Sequence, residues 1–236
     1  MAAGLLMLNF CAQAQMIVGF KLSPGIAATH VKDRNGAFDG YTQNEGNRKV
    51  IGIGASIDFG VTDNWYFGTG LWFTQKNLYI RNSIGGYSGV SNYNLAYLQI
   101  PALLKYRTGE VFTDKLNLVF GGGPMLDLKL HEAVAGGDGA QFMNLAHNVG
   151  GSNGNYKTMP LFAPANLGLY LSAGAEYQLL KIMGLYAGFS VNPSFINMIN
   201  HRLLYNNAVK TPLHDDLKIT TTLISFDLGV KFNVKK

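Results

Sequence analysis

Eight strand-like stretches, joined alternately by tight turns and long polar loops, constrain this chain more than any other feature. The stretches lie near residues 16–30, 48–61, 65–80, 93–108, 116–131, 166–180, 184–196 and 217–234. Connections near 62–64, 109–115 and 181–183 are short; those near 31–47, 81–92, 132–165 and 197–216 are long. Short turns on one side and long loops on the other is the wiring of an outer-membrane β-barrel. The expected fold is all-β, an eight-stranded antiparallel up-and-down transmembrane barrel.

Composition agrees. Hydrophobic residues make up 47% of the chain and charged residues only 14%, against roughly 25% charged in ordinary soluble proteins. No run approaches the ~20 apolar residues that a spanning helix needs. A greasy chain without such a helix crosses lipid only as a closed barrel, because each backbone polar group there needs an internal partner.

Residues 1–14 read as a secretory signal peptide, leaving 15–236 as the barrel domain. Leu5 to Cys11 form its apolar core and Ala12-Gln13-Ala14 supply the small residues before a cleavage site, although the usual basic residue is missing. Cys11 is the only cysteine, so the mature chain would carry no disulfide and no cysteine-ligated metal. Phe10 does not fit a lipid-anchoring cysteine. Net charge is +5 with a pI near 9.2, but the basic residues are dispersed and the aromatics lie on apolar strand faces. Nucleic acid is excluded as a partner; anionic lipid headgroups are the milder explanation.

Alternation is clearest in the last strand, where Ile224, Phe226, Leu228, Val230, Phe232 and Val234 oppose Ser225, Asp227, Gly229, Lys231 and Asn233. A soluble barrel would show the same stripes with the sense inverted. Three observations favour lipid outside. The polar face is studded with Gly19, Gly25, Gly52, Gly54, Gly68, Gly70, Gly121, Gly123, Gly174 and Gly188, and a narrow lumen needs small residues beside large ones. That face also carries Lys21, Lys105, Arg107, Lys129 and Lys231 against Asp58, Asp127, Glu176 and Asp227, a set able to pair as buried charges must. Finally, Trp65, Tyr66, Tyr106, Tyr177, Tyr186 and Phe232 gather near the short-turn ends, as an interfacial girdle would. Pro24, Pro101, Pro124 and Pro193 run against the pattern, and call for bulges or for positions above the membrane.

The segment Tyr97-Leu98-Gln99-Ile100-Pro101-Ala102-Leu103-Leu104-Lys105-Tyr106 resembles the "YLEIPLLLKY" segment of the PorT-like outer-membrane barrels of Bacteroidota. The Ala-Gln-Ala-Gln end of the leader is also typical of that phylum. Asp227-Leu228-Gly229-Val230-Lys231-Phe232-Asn233-Val234 is similar to the C-terminal signal read by the barrel-assembly machinery, with Asp227, Gly229, Phe232 and Val234 at its key positions. Val234 stands where that signal has an aromatic, and Gln99 where Glu is commoner. The resemblance implies an outer-membrane barrel with periplasmic termini and surface loops, in a family that includes a type IX secretion component.

An eight-stranded barrel is just wide enough for its own side chains, so the lumen is expected to be plugged and a diffusion pore is not. For catalysis the candidates are His30, His131, His147, His201 and His214, with His214-Asp215-Asp216 and His131-Glu132 the densest clusters. None has metal-ligand spacing, no serine sits in a nucleophile motif, and no cofactor is expected. The 132–165 loop is Gly-rich but lacks the Lys-Ser/Thr of a phosphate loop; Phe142, Met143 and Leu145 are placed to tuck it over the mouth. The less polar 197–216 loop, with Met198, Ile199, Leu203, Leu204 and Tyr205, is a candidate docking loop, although self-packing is the plainer reading. The leading expectation is a non-catalytic anchor or accessory subunit of an envelope assembly, with outer-membrane lipid and other envelope proteins as partners. The alternatives are a ligand-binding or adhesion barrel acting through those two loops, and a rim enzyme using His214 or His131.

Overall fold

The computed structural model describes residues 15–32, 42–44, 46–84, 87–111, 113–135, 162–199 and 218–234. Residues 1–14, and with them the expected signal peptide, lie outside these. The strands are β1 Met16–Lys32, β2 Thr42–Asn44, β3 Arg48–Gly60, β4 Trp65–Ile84, β5 Tyr87–Arg107, β6 Leu116–Ala135, β7 Ala165–Leu180, β8 Met183–Pro193 and β9 Lys218–Val234. Every pairing between them is antiparallel. The order β4-β3-β1-β9-β8-β7-β6-β5 closes through β4–β5. Eight strands therefore make the ring, and β2 is a short extra strand on the outer end of β4, from Thr42↔Asn82 to Asn44↔Ile80.

The short connections 61–64, 108–115 and 181–182 share one end of the barrel with Met16 and Val234. One expected long loop is not a loop. Over 81–92 the β4–β5 ladder continues without slippage from Arg81↔Val90 to Ile84↔Tyr87. The run Asn82-Ser83 and Ser88-Gly89 has no apolar stripe to betray a strand, and above a bilayer a hairpin needs none.

The outer wall is apolar. Phe189 is 66% exposed, Ile51 58% and Leu71 57%, and Phe20, Ile53, Phe67, Leu104 and Leu171 share that face. Exposure of so many large side chains in a continuous band is what a membrane wall requires and what water forbids. On β1 the band runs from Met16 to Ile26, ~34 Å along the strand and ~26 Å in height at a ~40° tilt. Above it the outward residues turn polar: His30 faces Thr220 and Lys32 faces Lys218 across β1–β9.

Strand parity corrects the aromatic girdle. Trp65, Tyr177 and Phe232 face outward, and Tyr106 stacks on Trp65 with ring centroids 5.0 Å apart. Tyr66, by contrast, is 5% exposed and bonds to Gln15 Oε1 at 3.2 Å inside the rim. Tyr186 also points inward, with Lys231 4.9 Å from its ring. Neighbours such as Trp65 and Tyr66 cannot both face lipid in a period-2 strand.

The prolines sit neither at bulges nor all beyond the ladder. Pro24 pairs with Ile51 on β3 and falls in the β1–β9 gap between Leu22↔Leu228 and Gly25↔Ser225. Pro101 falls in the β4–β5 gap between Thr69↔Ala102 and Trp72↔Gln99. Pro124 lies in the β5–β6 gap between Pro101↔Met125 and Leu104↔Gly122. Pro193 ends β8. At Pro24, Pro101 and Pro124 the missing N–H falls in a local break that leaves the register intact, whereas Pro193 stands at a strand end. The register shifts lie instead at Ala96/Tyr97 and between Gln178 and Leu180.

Glycines make room for large lumen side chains. Gly174 and Gly188 are cross-strand partners, and a Cβ on Gly188 would lie 2.6 Å from Tyr186 Oη and 2.8 Å from Gly174 Cα. Gly188→Val is expected to destabilise the barrel by ~1–3 kcal/mol through overpacking, read as a lower temperature for loss of the compact band in semi-native electrophoresis.

Candidate functional site

The interior is layered along the barrel axis. At the short-turn end lies a charged floor. Lys105 Nζ is 2.6 Å from Asp58 Oδ1, Arg107 Nη2 is 3.1 Å from Glu176 Oε1, and Lys231 Nζ is 3.0 Å from Glu176 Oε2 and 3.9 Å from Asp58 Oδ2. Lys21 Nζ lies 3.6 Å from Asp227 Oδ2 and 3.4 Å from the centre of the Trp72 ring. Tyr170 donates its hydroxyl to Asp227 at 2.7 Å, and its ring packs 5.0 Å from that of Trp72. These contacts join β1, β3, β4, β5, β7 and β9 across the lumen.

Above the floor, Lys76 pairs with Asp127 at 2.9 Å. The Gln99 amide donates to Asp127 Oδ1 at 2.9 Å, and its carbonyl accepts from the Thr74 hydroxyl at 2.6 Å. A glutamate at position 99 would set a second carboxylate against Asp127, so the amide suits this neighbourhood. Lys129 pairs with Glu132 at 2.5 Å and also donates to the Phe162 carbonyl.

The third layer, toward the long-loop end, is apolar. Leu78, Ile80, Tyr93, Leu95, Tyr97, Phe162, Met198, Ile199 and Ile219 form one buried cluster. Segments 162–164 and 194–199 lie in the mouth rather than outside it. Phe162 and Ile199 form a bridge, Ala163 N donates to Met198 O at 2.7 Å, and Met198 N donates to Ile219 O at 2.8 Å. The Asn197 side chain accepts from Ile199 N and Ile219 N. A cavity of about 40 Å³ remains within the floor and one of about 20 Å³ just above it, room for a few waters and roughly one.

All nine charged side chains singled out in the sequence therefore meet on the inner face, each within reach of an opposite charge. Lys76 escaped the sequence reading although its signal is present: Gly68, Gly70, Trp72, Thr74 and Lys76 share one parity. The docking loop needs correction. Met198 and Ile199 are 1% and 0% exposed, because the Phe162 bridge and the Ile219 backbone draw them into the mouth. Leu203, Leu204 and Tyr205 lie outside the described residues, as do Phe142, Met143, Leu145, His147, His201 and His214. His131 and Glu132 do not form a pair: His131 is exposed while Glu132 turns inward to Lys129. Among the described residues no group of three or more His, Cys, Asp or Glu is placed to hold a metal. At the C-terminus Asp227 is fully buried, whereas Phe232 and Val234 face outward.

A family model described as outer membrane protein beta-barrel domain matches residues 12–200. Among solved structures the chain is similar to the outer membrane protein OprG from Pseudomonas aeruginosa. That likeness has 11% identity, covers 94% of this chain and 97% of that one, and has a TM-score of 0.53. It is also similar to Neisserial surface protein A, with 12% identity, 93% and 97% coverage and a TM-score of 0.47. Identity this low speaks only for the fold, and it is the OprG likeness that does so. No curated protein matches the chain.

Proposed function

This chain belongs to the family of outer membrane protein beta-barrel domains, and from that premise we propose that it is a non-catalytic, non-conducting barrel serving as an anchor or accessory subunit of an envelope assembly. What supports this reading is the packing of the described inner face. Paired charges span the lumen at two levels, and Phe162, Met198 and Ile199 lie across its mouth. A solute path would require breaking buried ion pairs, at ~3–5 kcal/mol for each partner removed. Function is then left to the outer wall, the periplasmic turns and the surface loops.

The finer assignment, a PorT-like barrel attached to a type IX-like secretion assembly, rests on the Tyr97–Tyr106 segment and the C-terminal motif. In this reading residues 1–14 are the removed leader, the barrel-assembly machinery inserts the chain, both termini are periplasmic and the long loops face outward. Support for that orientation comes from the short connections, which gather at the end that holds both described termini.

Two measurements test the proposal. Purified barrel in planar lipid bilayers is expected to give no stable conductance steps; reproducible single-channel openings would overturn the closed lumen. Crosslinking in the native outer membrane, followed by mild-detergent purification, is expected to retain stoichiometric envelope proteins. A barrel that purifies alone would overturn the accessory role.

A further inference from the structure

The charged floor is not balanced. Lys21, Lys105, Arg107 and Lys231 share three carboxylates, Asp58, Glu176 and Asp227. Lys21 is the least satisfied. Its carboxylate contact is 3.6 Å, and its closer neighbours are the neutral Tyr170 hydroxyl at 3.2 Å and the Trp72 ring at 3.4 Å. Asp227 meanwhile accepts a hydrogen bond from the Tyr170 hydroxyl at 2.7 Å. Among the described residues no other acid reaches the floor: Asp127 and Glu132 pair with Lys76 and Lys129 above it. Asp63, Glu110 and Asp114 are exposed on the turns.

A surplus positive charge in a largely buried site calls for a counter-ion or for loss of a proton. The geometry offers the first. A cavity of about 40 Å³ is lined by Lys21, Lys105 and Lys231, by the hydroxyl side chains of Ser56, Ser172 and Tyr186, and by the Asp227 carboxylate, which Lys21 and Tyr170 already engage. The three ammonium side chains are 11–15% exposed, so they are nearly desolvated yet not sealed. Hydroxyl and ammonium donors around a space for a few waters suit a small, weakly hydrated, monovalent anion. We propose that the barrel floor binds one anion of halide size, chloride under ordinary conditions, between Lys21, Lys105 and Lys231. Its role is to complete the charge balance of the floor, independently of what the barrel does in the envelope.

Crystals of the full barrel soaked in bromide test this directly. An anomalous peak inside the cavity, within hydrogen-bonding reach of the three Nζ atoms, is the expected result, and it should vanish in Lys21→Met. Without that peak in the wild type, the anion site is overturned and the surplus is shed as a proton. A second readout needs no variant: the heat-modification midpoint should be higher in chloride than in gluconate at equal ionic strength, and equal midpoints would overturn the proposal.

Discussion

Glu176→Ala is expected to give the largest loss of stability of any single lumen substitution. Glu176 is 1% exposed and receives both Arg107 at 3.1 Å and Lys231 at 3.0 Å. Truncation leaves two cations facing each other in a site with little water. Removing one partner of a buried ion pair costs ~3–5 kcal/mol, a large share of the ~5–15 kcal/mol by which folded domains are stable. The variant should either fail to form the compact band on unheated gels or lose it at a much lower temperature. Lys231→Met added to Glu176→Ala should recover part of the loss, because it removes one orphaned charge; the double-mutant cycle isolates that coupling. High salt should not imitate the variant, since buried pairs are weakly screened. A Glu176→Ala barrel that melts like the wild type would mean that the floor pairs do not hold the barrel together.

The residues of that floor were legible because parity is local. Tyr170, Ser172, Gly174 and Glu176 alternate with leucine and alanine, and one period-2 rule puts all of them inside. The same rule, applied to β4, would have delivered Lys76 beside Gly68 and Gly70, and applied to adjacent aromatics would have separated Tyr66 from Trp65. Other features had no local signal. The β4–β5 extension carries Asn82, Ser83, Ser88 and Gly89, so composition reads as loop where the strand pairing continues. Met198 and Ile199 look like an exposed patch until Phe162, distant in sequence, bridges to them. Pro24, Pro101 and Pro124 are tolerated because two-residue ladder gaps suffice, a detail of pairing that no single strand reveals.

Phe189→Arg separates a membrane wall from an ordinary surface. In water, replacing a side chain that is 66% exposed with arginine would change stability little. In a bilayer the same position lies midway along β8, opposite Phe226 and Ala173, and arginine at mid-depth costs ~2–4 kcal/mol. Loss of the Phe189–Phe226 contact, with centroids 5.1 Å apart, adds ~0.5–1.5 kcal/mol. Phe189→Ala carries only the packing loss and should fall well short of the arginine variant. Thr220→Arg supplies the depth control: it faces outward beside His30 above the apolar band, where arginine costs ~0–1 kcal/mol. Equilibrium folding into lipid vesicles under denaturant should therefore rank Phe189→Arg below Phe189→Ala, with Thr220→Arg near wild type. Equal tolerance of arginine at 189 and 220 would place the outer face in water and remove the membrane from the account of this barrel.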